Sequence, residues 1–234
     1  MRAKGEYLIF VDSDDTLQEK CLQELNDVIT KYSNIDVIEY NANIIYNCVS
    51  KKFNCIYSSS NGPMSGLNYM KMNISKKCII APAWLKCVNR SFLLENKLFF
   101  KIGRIHEDEL WTPQLYLKCQ SIIYIDKLLY NYRIRENSIM QKKDKSNSIE
   151  TIKRNCLELY DIYNNLCIPK KEIRVLYDYL ARQYMRRWSI DKKFKKREKD
   201  DFIFILKNVK TLKTTIKFII FCINVNLYKK ISNL

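Results

Sequence analysis

Glycine and proline are scarce, four of each in 234 residues, too few for collagen-like, linker-like or turn-dense all-β chains, which use them repeatedly. Histidine occurs once, at His106, and the nine cysteines (21, 48, 55, 78, 87, 119, 156, 167 and 222) contain no C-x-x-C pair. That ligand supply argues against a zinc site. An odd cysteine count without secretory features reads as buried, reduced thiols of a cytosolic protein. Glu6 falls inside what would be the apolar stretch of a signal peptide, so none is expected. The longest apolar run near the C-terminus, residues 218–223, is far short of the roughly 18 residues a spanning helix needs, and no membrane crossing is expected.

Apolar and basic side chains are plentiful. Hydrophobic residues make up 47% and charged residues 28%, which sustains a sizeable core and excludes wholesale disorder. Lys and Arg outnumber Asp and Glu by 41 to 25, giving a formal net charge of +16, of which residues 141–234 carry +13. Such a block implies an anionic neighbour: a phosphate-bearing substrate, nucleic acid, or an anionic membrane surface. A lysine-rich coding bias accounts for it as well, since 30 of the 41 basic residues are Lys.

Residues 7–11 (YLIFV) form a continuous apolar run after Gly5, halted by acids, the pattern of a strand buried on both faces that needs parallel neighbours. Thr16 and Glu19 have capping-box spacing, and Leu17, Cys21, Leu22, Leu25, Val28 and Ile29 recur at helical intervals, so a helix is expected from there to about Tyr32. Residues 36–46 read as a second strand, 58–65 as a loop around Asn61-Gly62-Pro63, and 92–94 as part of a short helix. Leu110, Leu115 and Leu117 suggest a helix to about Cys119. Residues 122–125 and 128–133 read as two strands separated by a turn at Asp126-Lys127. Beyond about 140 the pattern is helical and basic: 149–166, 172–188, 201–209 and a segment from 212. The expected class is α/β, with domains at 1–140 and 141–234.

Asp12, Asp14 and Asp15 stand together at the carboxyl end of the first strand, the edge of an α/β sheet where ligands gather. Their repulsion calls for a cation, and a hard ion such as Mg²⁺ or Mn²⁺ completes its shell with water and substrate phosphates. An EF-hand does not fit, because Leu17 and Gln23 occupy the positions that need Gly and Glu. Capping of the next helix is the alternative, although one acid would suffice for it.

Two families share this string. Asp12-Ser13-Asp14-Asp15-Thr16 resembles the D-x-D-x-T nucleophile motif of haloacid-dehalogenase-like phosphatases, in which Asp12 would attack phosphorus. Asp15 replaces the usual Gly there, and no later G-D-x-x-x-D motif follows. Residues 3–15, AKGEYLIFVDSDD, more fully resemble the D-x-D segment of family 2 glycosyltransferases. Residues 84–119, from WLKCVNRSF through IHEDELW, are similar to that family's acceptor region and E-D motif. Residues 130–140, YNYRIRENSIM, are similar to its Y-x-Y-R-x-R-x-x-S-I segment. The resemblance spans about residues 2–141.

It implies an incomplete GT-A-like sheet with flanking helices, followed by a C-terminal helical region. It also implies inverting transfer from a nucleotide-diphosphate sugar to a saccharide or lipid-linked saccharide hydroxyl, in cell-surface polysaccharide synthesis. On the matched positions Asp12 and Asp14 bind Mg²⁺ or Mn²⁺, and Asp108 is the general base. Asp15, Trp84, Glu107, Arg133 and Arg135 contact substrate, the two arginines sharing a strand face suited to a diphosphate. Acidic decoration of a helix start explains residues 107–109 equally, core packing explains Trp84, and an exposed strand face explains the arginines. The family's N-terminal nucleotide-binding half, roughly 60–90 residues, has no counterpart before Met1. The expectation is a truncated enzyme that binds donor weakly or not at all alone and is completed by an N-terminal fragment. Residues 211–234 suit either an interfacial helix or a core-packing one with a lysine face, which leaves a cytoplasmic protein peripheral at the inner membrane as the expected location. A basic nucleic-acid or membrane module without enzymatic activity is a third reading; no recognition motif supports nucleic acid.

Overall fold

The computed structural model describes residues 2–46, 49–53, 62–76, 81–134, 145–190 and 196–232. The chain divides into two compact units, Met1–Ile102 with Trp111–Lys142 and Gly103–Leu110 with Lys143–Leu234. The first is a mixed α/β unit. Its strands are β1 (Tyr7–Ile9), β2 (Thr16–Leu17), β3 (Val37–Tyr46), β4 (Val49–Lys52), β5 (Lys86–Asn89) and β6 (Ile122–Arg133). They form one sheet in the order β1-β5-β3-β6-β2, with β4 on β3. Helices α1 (Cys21–Lys31), α2 (Gly66–Ser75), α3 (Arg90–Glu95) and most of α4 (Asp108–Lys118) accompany it.

β3 is central because residues 37–42 are buried on both faces, parallel to β6 on one side and antiparallel to β5 on the other. That core also buries charge. Glu39 is 0% exposed on β3 and accepts from Tyr69 Oη at 2.6 Å, from Tyr116 Oη and from Lys86 Nζ at 3.2 Å. These donors come from α2, α4 and β5, so one carboxylate links three elements to the central strand. α2 comes close to α4: a Cβ on Gly66 would lie 2.8 Å from Cys119 Cβ and against the Tyr116 carbonyl, so only glycine fits.

Three readings of the sequence change here. β1 is not a doubly buried strand between parallel neighbours: its three residues are half-buried, and its pairing is antiparallel, to β5, at a sheet edge. Thr16–Leu17 does not open a helix, because it pairs with Asn131 and Tyr130 of β6, and α1 starts at Cys21. The two strands expected at 122–133 are one. Asp126-Lys127 is an irregularity rather than a turn: β3 pairing passes from Glu39↔Tyr124 to Asn41↔Leu128, and Asp126 is held there by Asn41 and Lys52. The expected loop at 58–65 lies partly outside the described residues.

The second unit is helical: α5 (Ser146–Asn164), α6 (Arg174–Ile190), α7 (Lys199–Asn208), α8 (Leu212–Ile223) and α9 (Val225–Ser232). Apolar positions at helical spacing face inward, as in the buried series Ile149, Ile152, Cys156, Leu159 and Tyr163 of α5. Asp178 of α6 anchors the start of α8, accepting from the Lys210 and Thr211 amides and from the Thr211 and Thr214 hydroxyls. Among the described residues no helix is long and apolar enough to cross a membrane. Cys21, Cys87, Cys119 and Cys156 are buried free thiols, whereas Cys167 and Cys222 are exposed, contrary to the expectation of uniform burial.

Candidate active site

In the first unit the site is built on the turn that follows β1. Phe10 packs edge-on against Phe100 (5.5 Å) and Trp111 (5.4 Å), which fixes the end of the strand. The turn is closed by Asp15 N donating to Asp12 O at 3.0 Å. Asp15 is 8% exposed, and both of its oxygens are engaged: Oδ2 accepts from Tyr130 Oη at 2.9 Å and Oδ1 from Arg133 N at 2.8 Å. Tyr130 Oη also accepts the Asp12 N–H at 3.0 Å. One phenol of β6 thus holds both ends of the acidic turn. With Asp15 committed inward, Asp14 is half-buried and Asp12 exposed.

The electrostatics agree with this crowding. Burial, and then the Asp15 carboxylate, hold the Tyr130 phenol well above its ordinary range. Burial first, and then the charges of Asp15, Asp14 and Asp12, raise Tyr132 as well. All three carboxylates therefore act on one side chain. Among the described residues no group of three or more His, Cys, Asp or Glu side chains is placed to hold a metal ion. Asp12 and Asp14 offer a partial donor set, which suits an ion that takes its remaining oxygens from water and phosphate.

Trp84 lies on an aromatic shelf beside this turn. Its ring stacks on Tyr130 (4.7 Å, 20°) and Tyr132 (5.3 Å, 4°) and meets the edge of Phe53 at 5.6 Å. It is half-buried. Residues two apart on a strand share a face, which is why Tyr130 and Tyr132 can both meet it. Arg133 alternates to the opposite face and is exposed; its backbone amide, rather than its guanidinium, joins the acidic turn. Arg135 lies outside the described residues.

Glu107 and Asp108 belong to the second unit, in the stretch 103–110 that leads into α4. His106 there has φ +53° and Gly103 φ +75°. A left-handed histidine is strained and persists only where its surroundings hold it. They do: the His106 carbonyl accepts from Asn155 Nδ2 at 3.1 Å, its ring meets Ser148 Oγ at 3.1 Å, and Arg104 donates to Asn155 Oδ1 at 2.8 Å. Asp108 is half-buried at the first position of α4, its Oδ1 accepting from Glu109 N at 2.9 Å. Glu109 pairs with Arg186 at 2.5 Å.

The structure thus gathers Asp12, Asp14, Asp15 and Trp84 in the first unit and sets Glu107 and Asp108 at the braced entry to α4 in the second. Tyr130, Tyr132, Arg104 and Asn155 were not singled out from the sequence. The Tyr-x-Tyr spacing could have flagged the first two as sharing one face, whereas nothing local signals Asn155, which works across 49 residues.

No family model matches the chain. It is 22% identical over 167 residues to an uncharacterized glycosyltransferase, YibD, of Escherichia coli, covering 70% of this chain and 48% of that protein. It is 29% identical over 148 residues to glycosyltransferase GlyG of Streptococcus pneumoniae, covering 59% and 47%. A third relative, the cholesterol galactosyltransferase of Borreliella burgdorferi, is 24% identical over 229 residues, covering 90% and 62%. The chain spans about half the length of the first two relatives. Among solved structures, S. aureus TarS 1-349 in complex with UDP-GlcNAc superposes with a TM-score of 0.66 at 16% identity, covering 99% of this chain and 68% of TarS 1-349. The class is therefore fixed at the level of architecture: the chain has the mixed α/β fold of the glycosyltransferase TarS. In sequence the chain is similar to proteins named glycosyltransferases.

Proposed function

We propose that this chain takes part in sugar transfer from a nucleotide-diphosphate donor to a hydroxyl acceptor, with inversion at the anomeric carbon. The observation that carries the reading is the acidic turn, in which Asp15 is buried and holds the loop, Asp14 is half-buried and Asp12 is exposed. The ligand in the TarS complex, UDP-GlcNAc, supports a nucleotide sugar as donor. Asp14, with Asp12, would hold Mg²⁺ or Mn²⁺; when bound, the ion supplies neutralisation of the charge on the departing diphosphate. Asp108 takes the acceptor proton as the hydroxyl oxygen bonds to the anomeric carbon and the bond to the diphosphate breaks. Trp84 on its aromatic shelf offers a face to the donor sugar.

Titration calorimetry with a uridine-diphosphate sugar and Mn²⁺ tests the reading. Weak, Mn²⁺-dependent binding is expected, falling about tenfold or more in Asp14→Asn. Asp108→Asn should keep donor binding and lose transfer by about 10²–10⁴-fold. Donor binding indifferent to Mn²⁺, or unchanged in Asp14→Asn, would overturn it.

The acceptor class proposed is a saccharide or lipid-linked saccharide of cell-surface polysaccharide synthesis, reached at an anionic membrane surface. α8 supports the membrane contact: Leu212, Ile216, Ile219 and Ile223 recur at i, i+4, i+7 and i+11 and are exposed, Leu212 at 78% and Ile223 at 77%, on a chain segment rich in lysine.

A further inference from the structure

In the second unit, the end of α5, the start of α6 and the end of α7 surround a cleft of about 280 Å³ whose charged lining is entirely cationic: Lys170, Lys171, Arg174, Lys207 and Lys210. Its remaining lining is Tyr160, Asn164 and Tyr177. Five positive charges converging without a carboxylate among them repel one another. Two of the five are fixed in place by neutral carbonyls. Arg174 donates to the Lys210 carbonyl, and Lys210 Nζ donates to the Lys207 carbonyl at 2.5 Å. Those bonds orient the cations without cancelling their charge. Among the described residues, Lys170, Lys171 and Lys207 form no ion pair.

The floor is ordered. Tyr177 is buried, stacks edge-on with Tyr160 at 6.1 Å, and donates its hydroxyl to Asn164 Oδ1 at 3.1 Å. That bond occupies the acceptor end of Asn164 and leaves its amide N–H donors to the cleft. The site thus presents donors and positive charge, the complement of an oxyanion. Its volume is at the small end of ligand pockets, about 300–1,000 Å³, which suits a phosphate-sized group and not a whole nucleotide sugar. Ile203 and Leu206 of α7, at i−4 and i−1 from Lys207, are exposed, so the helix that supplies Lys207 also carries apolar side chains at the surface.

We propose that this cleft is a binding site for a phosphate diester or diphosphate anion, separate from the acidic turn and independent of the sugar-transfer reading. Two sources share that chemistry: an anionic lipid headgroup and a soluble diphosphate.

The test is calorimetric titration of the full chain with inorganic pyrophosphate, alongside sedimentation with phosphatidylglycerol vesicles. The expected result is one-to-one pyrophosphate binding weakened about tenfold or more in the triple variant Lys170→Gln, Lys171→Gln, Lys207→Gln. All three positions are exposed, so folding is not at stake. Asn164→Asp keeps the acceptor for Tyr177 and should weaken binding by replacing the amide donors with a negative charge. A charge-matched control, Lys51→Gln, Lys118→Gln, Lys199→Gln, should bind as the parent does. Loss of vesicle sedimentation in the cleft variant assigns the source to a lipid headgroup; retained sedimentation with lost pyrophosphate binding assigns it to a soluble anion. Equal pyrophosphate affinity in the parent and the cleft variant, or equal loss in the control, overturns the site.

Discussion

The Tyr130 hydroxyl donates to Asp15 Oδ2 and accepts the Asp12 amide, so a single atom sets the geometry of the acidic turn. Tyr130→Phe keeps the ring stacked on Trp84 and removes that atom alone. Urea denaturation should show a loss of about 1–3 kcal/mol, because buried Asp15 is left short of a donor, and Mn²⁺-dependent donor binding should weaken as the turn loosens. Unchanged donor binding would mean that the turn holds its shape without the phenol. Glu39 and Lys86 pose the opposite case. Both side chains are wholly buried and paired, so removing one partner strands the other charge. Lys86→Met should cost about 3–5 kcal/mol, measured by the same denaturation, with little effect on the residues of the acidic turn. A cost below about 1 kcal/mol would show that the tyrosines alone satisfy Glu39.

At the scale of elements, the irregularity in β6 is held from the side. Asp126 accepts from Lys52 Nζ at 2.7 Å and from Asn41 Nδ2 at 3.1 Å, and Lys52, then Asn41, hold its carboxyl below the ordinary range. A carboxyl depressed in the folded state contributes stability that is complete above its unfolded value, about 3.9. That contribution is lost as pH falls through the folded value. Asp126→Asn should therefore flatten the acid limb of stability below about pH 4 and lower stability at neutral pH by the same amount, a small one because the Lys52 pair is largely solvated. Thermal melts from pH 2.5 to 7 would check this; identical acid limbs would remove Asp126 from the account. β1 shows how a local pattern misleads. Its aromatic and branched residues look doubly buried in the sequence, yet burial depends on what lies at the strand's edges, and residues 7–9 do not encode their neighbours.

For the whole molecule, charge and fold divide along the same line as legibility. The basic helical region was legible from apolar residues at 3.6-residue spacing, since each inward series, such as Ile149 to Tyr163, is local. The acidic turn was legible because three aspartates follow an apolar run. The split strand was misread because Asp126-Lys127 is turn-like chemistry, and its anchors, Asn41 and Lys52, lie more than 70 residues away. The Glu39–Lys86 pair was illegible for the same reason: a polar residue within a strand reads as an outward one. The exposed stripe on α8 makes a molecular-scale expectation. The full chain should float with liposomes containing anionic lipid, less so at high salt, and Ile216→Gln with Ile219→Gln should abolish flotation. Indifference to lipid charge would end the membrane contact.

The three tryptophans differ in a way that makes the protein its own optical gauge. Trp111 and Trp188 are sealed in the interior, while Trp84 is half-buried against Tyr130 and Tyr132 beside the aspartates. A water-borne collisional quencher therefore reaches Trp84 by preference, and the quenchable share of the emission reports occupancy of that corner without any label being attached.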